Sequence, residues 1–241
     1  ARAGPPRASN APSWYTTGRR PAEGEATMPN DTFSIIAKRF FIATTANELC
    51  KKTSLDEIAV DEICETAGVS RSGFYRAFHS KYDIAPWCLR FPLEEGVGKM
   101  GRSLTCQEGI AITLEIFALF KDLFNAAKKT SEMLVCDEEE RRHVVALIRE
   151  TLETRHGTSV DEALAFQIEW VTAAGLDVSE DWIRGTIDKS PAELAELFAS
   201  CYPPRLRKLL DDPVDHADDG DFDLSRFVVS MLRHAPEETQ A

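Results

Sequence analysis

Five polar side chains able to bind double-stranded DNA lie within eleven residues of this 241-residue sequence. Arginine can donate paired hydrogen bonds to guanine edges or phosphate, and serine, tyrosine and lysine can donate to phosphate oxygens. Aromatic residues interrupt the polar ones at a spacing that gives a helix one polar and one apolar side. The predicted DNA contacts, which include one glycine backbone, are Arg71, Ser72, Gly73, Tyr75, Arg76 and Lys81.

The segment that must position these side chains, residues 60–83, is predicted to form two helices joined by a glycine turn. Gly68 suits a left-handed C-terminal cap because it has no side chain to clash there. Ser70 is a good N-cap for the second helix. Phe74 and Phe78 lie four residues apart and are expected to anchor that helix inward. This order is that of a DNA-binding helix-turn-helix, and the alternative is an ordinary packed pair of helices.

The segment resembles the TetR/AcrR family of transcriptional regulators, most strongly over residues 32–87. The resemblance implies a supporting first helix over about 32–51, the helix-turn-helix over about 60–78, and a linking helix from about Lys81. It also implies DNA contacts at the positions of Arg71, Ser72, Gly73, Tyr75 and Lys81. Two departures bear on those contacts: Ala59 stands where the family often has a capping threonine, and Ser72-Gly73 replaces a common Gly-Thr pair.

The charge is unevenly divided along the chain, which has a net charge of −12. Residues 1–27 carry four arginines and two glutamates, and residues 28–85 carry seven basic and eight acidic side chains. The acidity therefore belongs to the C-terminal part, where it repels DNA and favours approach through the N-terminal part. Residues 1–27 are predicted to be a disordered arm, with a minor-groove contact by Arg19 and Arg20 as the alternative.

The rest of the chain is predicted to be helical, giving an all-α protein. The predicted parts are the arm over 1–27, a three-helix helix-turn-helix DNA-binding domain over 28–83, a helical ligand-binding and dimerisation domain over 84–202, and an acidic linker with a short C-terminal helix over 203–241. Ser190-Pro191-Ala192-Glu193 is a strong helix start, with an N-cap, a first-turn proline and a capping-box glutamate. The aspartates of 211–223 are interpreted as a solvated linker, and residues 224–233 as the short helix.

Aromatic and small residues of the C-terminal helices supply two further predictions. An apolar ligand pocket is predicted at Trp87, Phe91, Phe117, Phe120, Phe124 and Phe166. A dimer interface, which the resemblance implies for the last two long helices, is predicted at Trp170, Ala173, Ala174, Leu194, Leu197 and Phe198. The alternative for both sets is the plain core of one subunit.

No catalytic, cofactor or metal motif stands out. Gly96-Val97-Gly98-Lys99-Met100-Gly101 matches a dinucleotide-binding fingerprint, but helical sequence rather than a strand precedes it, so we interpret it as a flexible bend between helices. The six cysteines lack CxxC spacing, and the histidines lack ligand spacing. Because the motifs above are missing, we expect that the protein is not an enzyme and needs no cofactor. The sequence has neither a membrane span nor a signal peptide, so we expect a cytoplasmic protein.

Three functions remain open at this point. The first is a homodimeric repressor that binds a near-palindromic operator and is released by a small apolar ligand. The second is a DNA-binding regulator without a small-molecule effector, either an activator or a structural DNA binder. The third is a helical ligand carrier or enzyme, which would have no salt-dependent affinity for DNA.

Overall fold

The computed structural model describes residues 30–127 and 132–214 as ten α-helices, and no β-strand occurs in those ranges. An all-α fold is therefore confirmed. None of the described helices combines the length and the apolar character that crossing a membrane requires. The helices are α1 Asn30–Cys50, α2 Val60–Ala67, α3 Arg71–Ala77, α4 Ile84–Glu95, α5 Cys106–Leu119, α6 Lys121–Ala127, α7 Glu132–Glu150, α8 Glu162–Ile183, α9 Pro191–Cys201 and α10 Pro204–Leu210.

Some predictions fall outside the described residues. These are the disordered arm over 1–27 with Arg19 and Arg20, most of the acidic linker, and the short helix over 224–233.

Helix α1 supports the helix-turn-helix from behind. Its residues Ile42, Ala43 and Ala46 are fully buried, and they pack in one core with the buried side chains of α2 and α3. Arg39 donates from Nε to the carbonyl oxygen of Ala77 at 2.9 Å, so α1 also holds the last turn of α3. Arg39 is therefore a structural residue of this domain.

The same helix joins the N-terminal helices to the C-terminal ones. The side-chain Oδ1 of Asn47, a buried residue, accepts a hydrogen bond of 2.9 Å from the backbone N–H of Leu123 at the start of α6. The rings of Phe40 and Phe120 meet edge to face, with centroids 5.6 Å apart. A buried polar bond and an aromatic pair thus fix α1 against α6.

Helix α4 leaves the helix-turn-helix through a capping box. Ser80 and Asp83 bond reciprocally to each other's backbone N–H groups around the short 3₁₀ turn Lys81–Asp83. Pro92 lies inside α4 and is buried. This helix is the covalent link between the two groups of helices.

The glycine-rich segment after α4 forms the predicted bend between helices, but it is a tightly packed crossing and not an open, flexible one. Gly96 and Gly98 are buried. A Cβ atom on Gly96 would lie 2.1 Å from Thr113 Oγ1 and 2.4 Å from the carbonyl oxygen of Gly109 on α5. Glycine is required here because two backbones touch, and a nucleotide phosphate has no room.

The last helices agree with the sequence prediction in one case and depart from it in another. The capping box of Ser190 and Glu193 is present at the start of α9. Helix α10 lies in the segment 203–241, for which the sequence analysis predicts a helix only over 224–233. Pro204 occupies the first turn of α10, whose Leu206 and Leu210 are fully buried. Asp211, assigned to the solvated linker, accepts a 3.1 Å bond from the N–H of Cys106 at the start of α5.

Candidate functional site

The turn between α2 and α3 has the predicted geometry. Gly68 adopts a left-handed conformation with φ of 64°, and the N–H of Val69 donates to the carbonyl oxygen of Cys64 at 3.0 Å. Ser70 caps α3, with its Oγ accepting from the N–H of Gly73 at 3.1 Å. These local bonds fix the angle at which α3 leaves α2.

Helix α3 has one buried and one exposed side. Phe74, Ala77 and the following Phe78 are almost wholly buried, as predicted for the two phenylalanines. The exposed side chains on the opposite side, which we call the α3 face, are Arg71, Ser72, Tyr75 and Arg76. Tyr75 is 43% exposed, unusually so for a tyrosine beside a phenylalanine core. The α3 face thus presents two cations and two hydroxyls to solvent.

Arg71 is held in place by neighbours on α2 and α3. Its guanidinium forms an ion pair with Asp61 of α2 and lies over the ring of Tyr75, 5.6 Å from the ring centroid. The hydrogen bond to Asp61 raises the pKa of Arg71, which stays charged at any physiological pH. This pairing joins residues ten positions apart and carries no signal in the sequence.

Three other predicted or related positions behave differently from the α3 face. Gly73 is buried, and its N–H is committed to Ser70, so the structure does not bring its backbone to the surface. Lys81 donates from Nζ to the carbonyl oxygens of Asp56 and Ile58, at 2.7 and 2.8 Å, and thereby holds the loop before α2. Ala59 precedes α2 without any side-chain cap.

A cavity of about 670 Å³ that is open on one side to solvent lies among the C-terminal helices. Helices α4 to α8 all contribute to its lining. Its apolar lining residues are Leu89, Phe117, Phe124, Trp170, Leu176 and Ile183. A narrow pocket of about 50 Å³ shares Phe117, Leu176 and Ser179 with this cavity and extends it towards α9. A volume of this size suits a drug-sized molecule.

Comparison with known families finds a match in the helix-turn-helix segment. The family model described as bacterial regulatory proteins of the tetR family matches residues 42–86, which span the end of α1, α2, α3 and the start of α4. This part of the chain is therefore similar to the tetR family, in whose N-terminal region a DNA-binding helix-turn-helix is typical.

Other comparisons add little. A crystal structure of a tetR-family transcriptional regulator from Streptomyces coelicolor is 17% identical in sequence and gives a TM-score of 0.45. The match covers 81% of this chain and 99% of that one. A similarity this low supports no transfer of residues. No curated protein matches the chain significantly.

The six predicted pocket residues are spread over four environments. Phe117 and Phe124 line the cavity, whereas Phe120 is buried against Phe40. Trp87 and Phe91 stack at 4.9 Å and line a separate groove beside the end of α3. Phe166 is 70% exposed and lines none of these spaces. The prediction for Phe166 is wrong because Leu164 and Ile168, two residues away on either side, face the core.

The predicted dimer residues divide between surface and core. Trp170 and Leu197 are each 50% exposed, and Ala174 is exposed as well. Ala173 is half-buried and lines the cavity beside Trp170. Leu194 is buried, and half-buried Phe198 packs against the core, so neither presents a large surface to a partner. For Leu194 and Phe198 the structure therefore favours the alternative of subunit core.

Proposed function

We propose that this protein is a regulator of the TetR family, a homodimeric repressor that binds a near-palindromic operator and leaves it when a small, largely apolar ligand binds. The observation that carries the proposal is the division of α3 into a buried aromatic side and the exposed α3 face. A surface helix with exposed arginine and hydroxyl groups, fixed by a capped turn, matches the needs of major-groove recognition.

The residues of the α3 face have separate roles in this proposal. Arg71 and Arg76 read guanine edges or bind phosphate, and Ser72 and Tyr75 bind phosphate oxygens. Arg71 exchanges Asp61 for a DNA acceptor when the complex forms. Lys81 acts indirectly, since it holds the loop that precedes α2. Gly73 serves the cap of α3 rather than a base contact.

A dimer supplies two copies of α3. Phe166, Trp170 and Leu197 are the most exposed large apolar side chains on α8 and α9, and covering them against a second copy removes apolar surface from water. Two heads related by a two-fold axis read half-sites about one helical turn of DNA apart. Such a protein acts in the cytoplasm, where its DNA lies.

The cavity supports release by a ligand. A ligand shifts DNA occupancy only if it binds one shape of the dimer more tightly than the other. The cavity touches α4, which is the covalent link to α3, and a change in α4 therefore alters the separation of the two heads. A cavity of this size beside α4 can hold a small effector, which supports the ligand-responsive form.

The direct test removes the α3 face without disturbing the core. In the double variant Arg71→Ala/Tyr75→Ala we expect a loss of affinity for the operator of roughly hundredfold or more, because each subunit loses two contacts. Fluorescence anisotropy with DNA that flanks the protein's own gene measures the loss, and far-UV circular dichroism checks the helix content. The matched control is Arg149→Ala on α7, which removes a partly exposed arginine that pairs with Glu153 in the following turn. Unchanged affinity in the double variant would disprove the assignment of α3.

A further inference from the structure

One buried carboxylate in the cavity has an oxygen with no partner. The side chain of Glu140 on α7 is 2% exposed. Its Oε1 accepts both bonds from Arg90, at 3.0 Å from Nε and 2.6 Å from Nη2. Its Oε2 has no hydrogen-bond partner among the described residues. An ionised carboxylate left half-satisfied in the interior is costly, and it indicates a donor that binds there.

The charge around this oxygen favours a cation. Four carboxylates line the cavity, those of Glu138, Glu140, Asp177 and Glu180. Three of them are paired with arginines: Glu138 with Arg141, Glu140 with Arg90 and Glu180 with Arg184. Four negative and three positive side chains leave one net negative charge, which favours a cationic ligand over an anionic one.

The remaining walls define the body of the ligand. Phe117, Phe124 and Trp170 provide aromatic surface, and Leu89, Leu176 and Ile183 provide aliphatic surface. The narrow extension towards α9 adds the buried hydroxyl of Thr172, which also lacks a partner among the described residues. An aromatic or branched apolar body is therefore accommodated beside the carboxylate.

We propose that the effector is an organic cation, a protonated amine on an apolar body, whose N–H group donates to Oε2 of Glu140. This inference rests on the proposed function and specifies its ligand class. It requires no new covalent chemistry, only the satisfaction of an unpaired buried acceptor by a charged donor.

The same carboxylate connects the ligand to α4. Glu140 borders both the cavity and the groove of about 520 Å³ that is lined by Arg90, Trp87 and the last residues of α3. A second cation beside Glu140 repels Arg90 and competes for the charge of the carboxylate. Arg90 lies on α4 and Glu140 lies on α7. When the ligand weakens the bond between them, α4 is held less firmly in its unliganded position, and the liganded state favours a different position of α4. In this scheme Arg90 is a positioning residue that holds α4 in the unliganded arrangement.

The test uses three probes that share one body and differ in charge: 4-phenylbutylammonium, 4-phenylbutanol and 4-phenylbutyrate. Isothermal titration calorimetry with the full chain, free of DNA at pH 7, measures each affinity. We expect the ammonium probe to bind roughly tenfold or more tightly than the other two, the difference expected of a charge-assisted bond. Equal affinities, a preference for the alcohol or carboxylate, or no binding of any probe would overturn the proposal.

Variants assign the preference to Glu140. In Glu140→Gln, which keeps the shape, the ammonium probe should lose its advantage over the alcohol. Glu153→Gln removes the same charge from the exposed turn after α7 and should retain the advantage. Since Glu140→Gln disturbs a buried ion pair, Arg90→Gln serves as a second variant: it relieves the competition and should tighten ammonium binding. A retained preference in Glu140→Gln, or weaker ammonium binding in Arg90→Gln, would contradict the scheme.

Operator release separates this inference from the proposed function. If the ammonium probe binds selectively but leaves the operator complex intact, the ligand class stands and release by ligand fails. If the alcohol releases operator as well as the ammonium probe does, release stands and the cation assignment fails.

Discussion

At the scale of single residues, the sequence predicts which side chains of the α3 face are exposed, but it does not predict which residues they bond to. The positions of Phe74 and Phe78 sufficed to predict that Arg71, Ser72, Tyr75 and Arg76 face outward, because helical geometry fixes which residues share a side. The partners could not be predicted in this way, since Asp61 reaches Arg71 only after the turn has set the helix angle. The commitment of Gly73 to the cap of Ser70 likewise depends on the folded turn.

A prediction at this scale concerns Asp61, which competes with DNA for Arg71. Asp61→Asn frees the guanidinium and removes a negative charge that faces the operator, so we expect DNA affinity to rise roughly two- to fivefold, in line with an exposed ion pair. Glu65→Gln removes the same charge from α2 without freeing Arg71 and should raise the affinity less. Anisotropy titrations at low and moderate salt compare them, and reduced affinity in Asp61→Asn would show that the pair instead orients Arg71 for binding.

At the scale of elements, the capping residues predict the starts of helices correctly, whereas the sequence does not predict how the helices pack against one another. The starts of α3 and α9 follow from Ser70 and Ser190, whose side chains bond to backbone three residues on. The break between α5 and α6 at Phe120 carries no glycine or proline and depends on packing against α1. Helix α10, which was not predicted, has a sequence signal in Leu206 and Leu210, two apolar residues four positions apart.

A prediction at this scale tests the glycine crossing of α4 and α5. A Cβ on Gly109 would lie 2.4 Å from Met100 Cγ and 2.7 Å from the carbonyl oxygen of Gly96. Gly109→Ala should therefore lower the free energy of unfolding by about 1–3 kcal/mol. Gly175→Ala on α8 is the matched control, since nothing lies within 4 Å of its added Cβ, and it should raise stability by about 0.5–1 kcal/mol. Urea denaturation followed by circular dichroism measures both, and equal effects would refute the packing account.

At the scale of the whole molecule, the fold class was predictable from the sequence, but the environment of each aromatic side chain in the C-terminal part was not. The helical periodicity and the turn signals fixed an all-α protein with a helix-turn-helix. The same periodicity cannot tell whether an aromatic residue faces a core, a cavity or a partner, which is why Phe120, Phe117 and Phe166 were predicted together and lie apart. Only the packing of α4 to α8 distinguishes these three environments.

A prediction at this scale concerns subunit association. Trp170→Asp/Leu197→Asp puts two charges into the proposed dimer face and should convert dimers into folded monomers, with at least a tenfold rise in the dissociation constant. Ile35→Asp, at an exposed apolar position of α1, is the control and should leave the mass unchanged. Light scattering after size-exclusion chromatography gives the masses. A dimer of unchanged stability in the double variant would locate the interface elsewhere.

The central claim is that this protein recognises a DNA sequence through α3. Its most direct test is fluorescence anisotropy of the wild-type protein on DNA that flanks its own gene and on a scrambled control, across a series of salt concentrations. The account predicts tighter binding to the flanking DNA, with an affinity that falls steeply as salt rises because phosphate contacts release counterions. The absence of binding to either DNA even at low salt would contradict it.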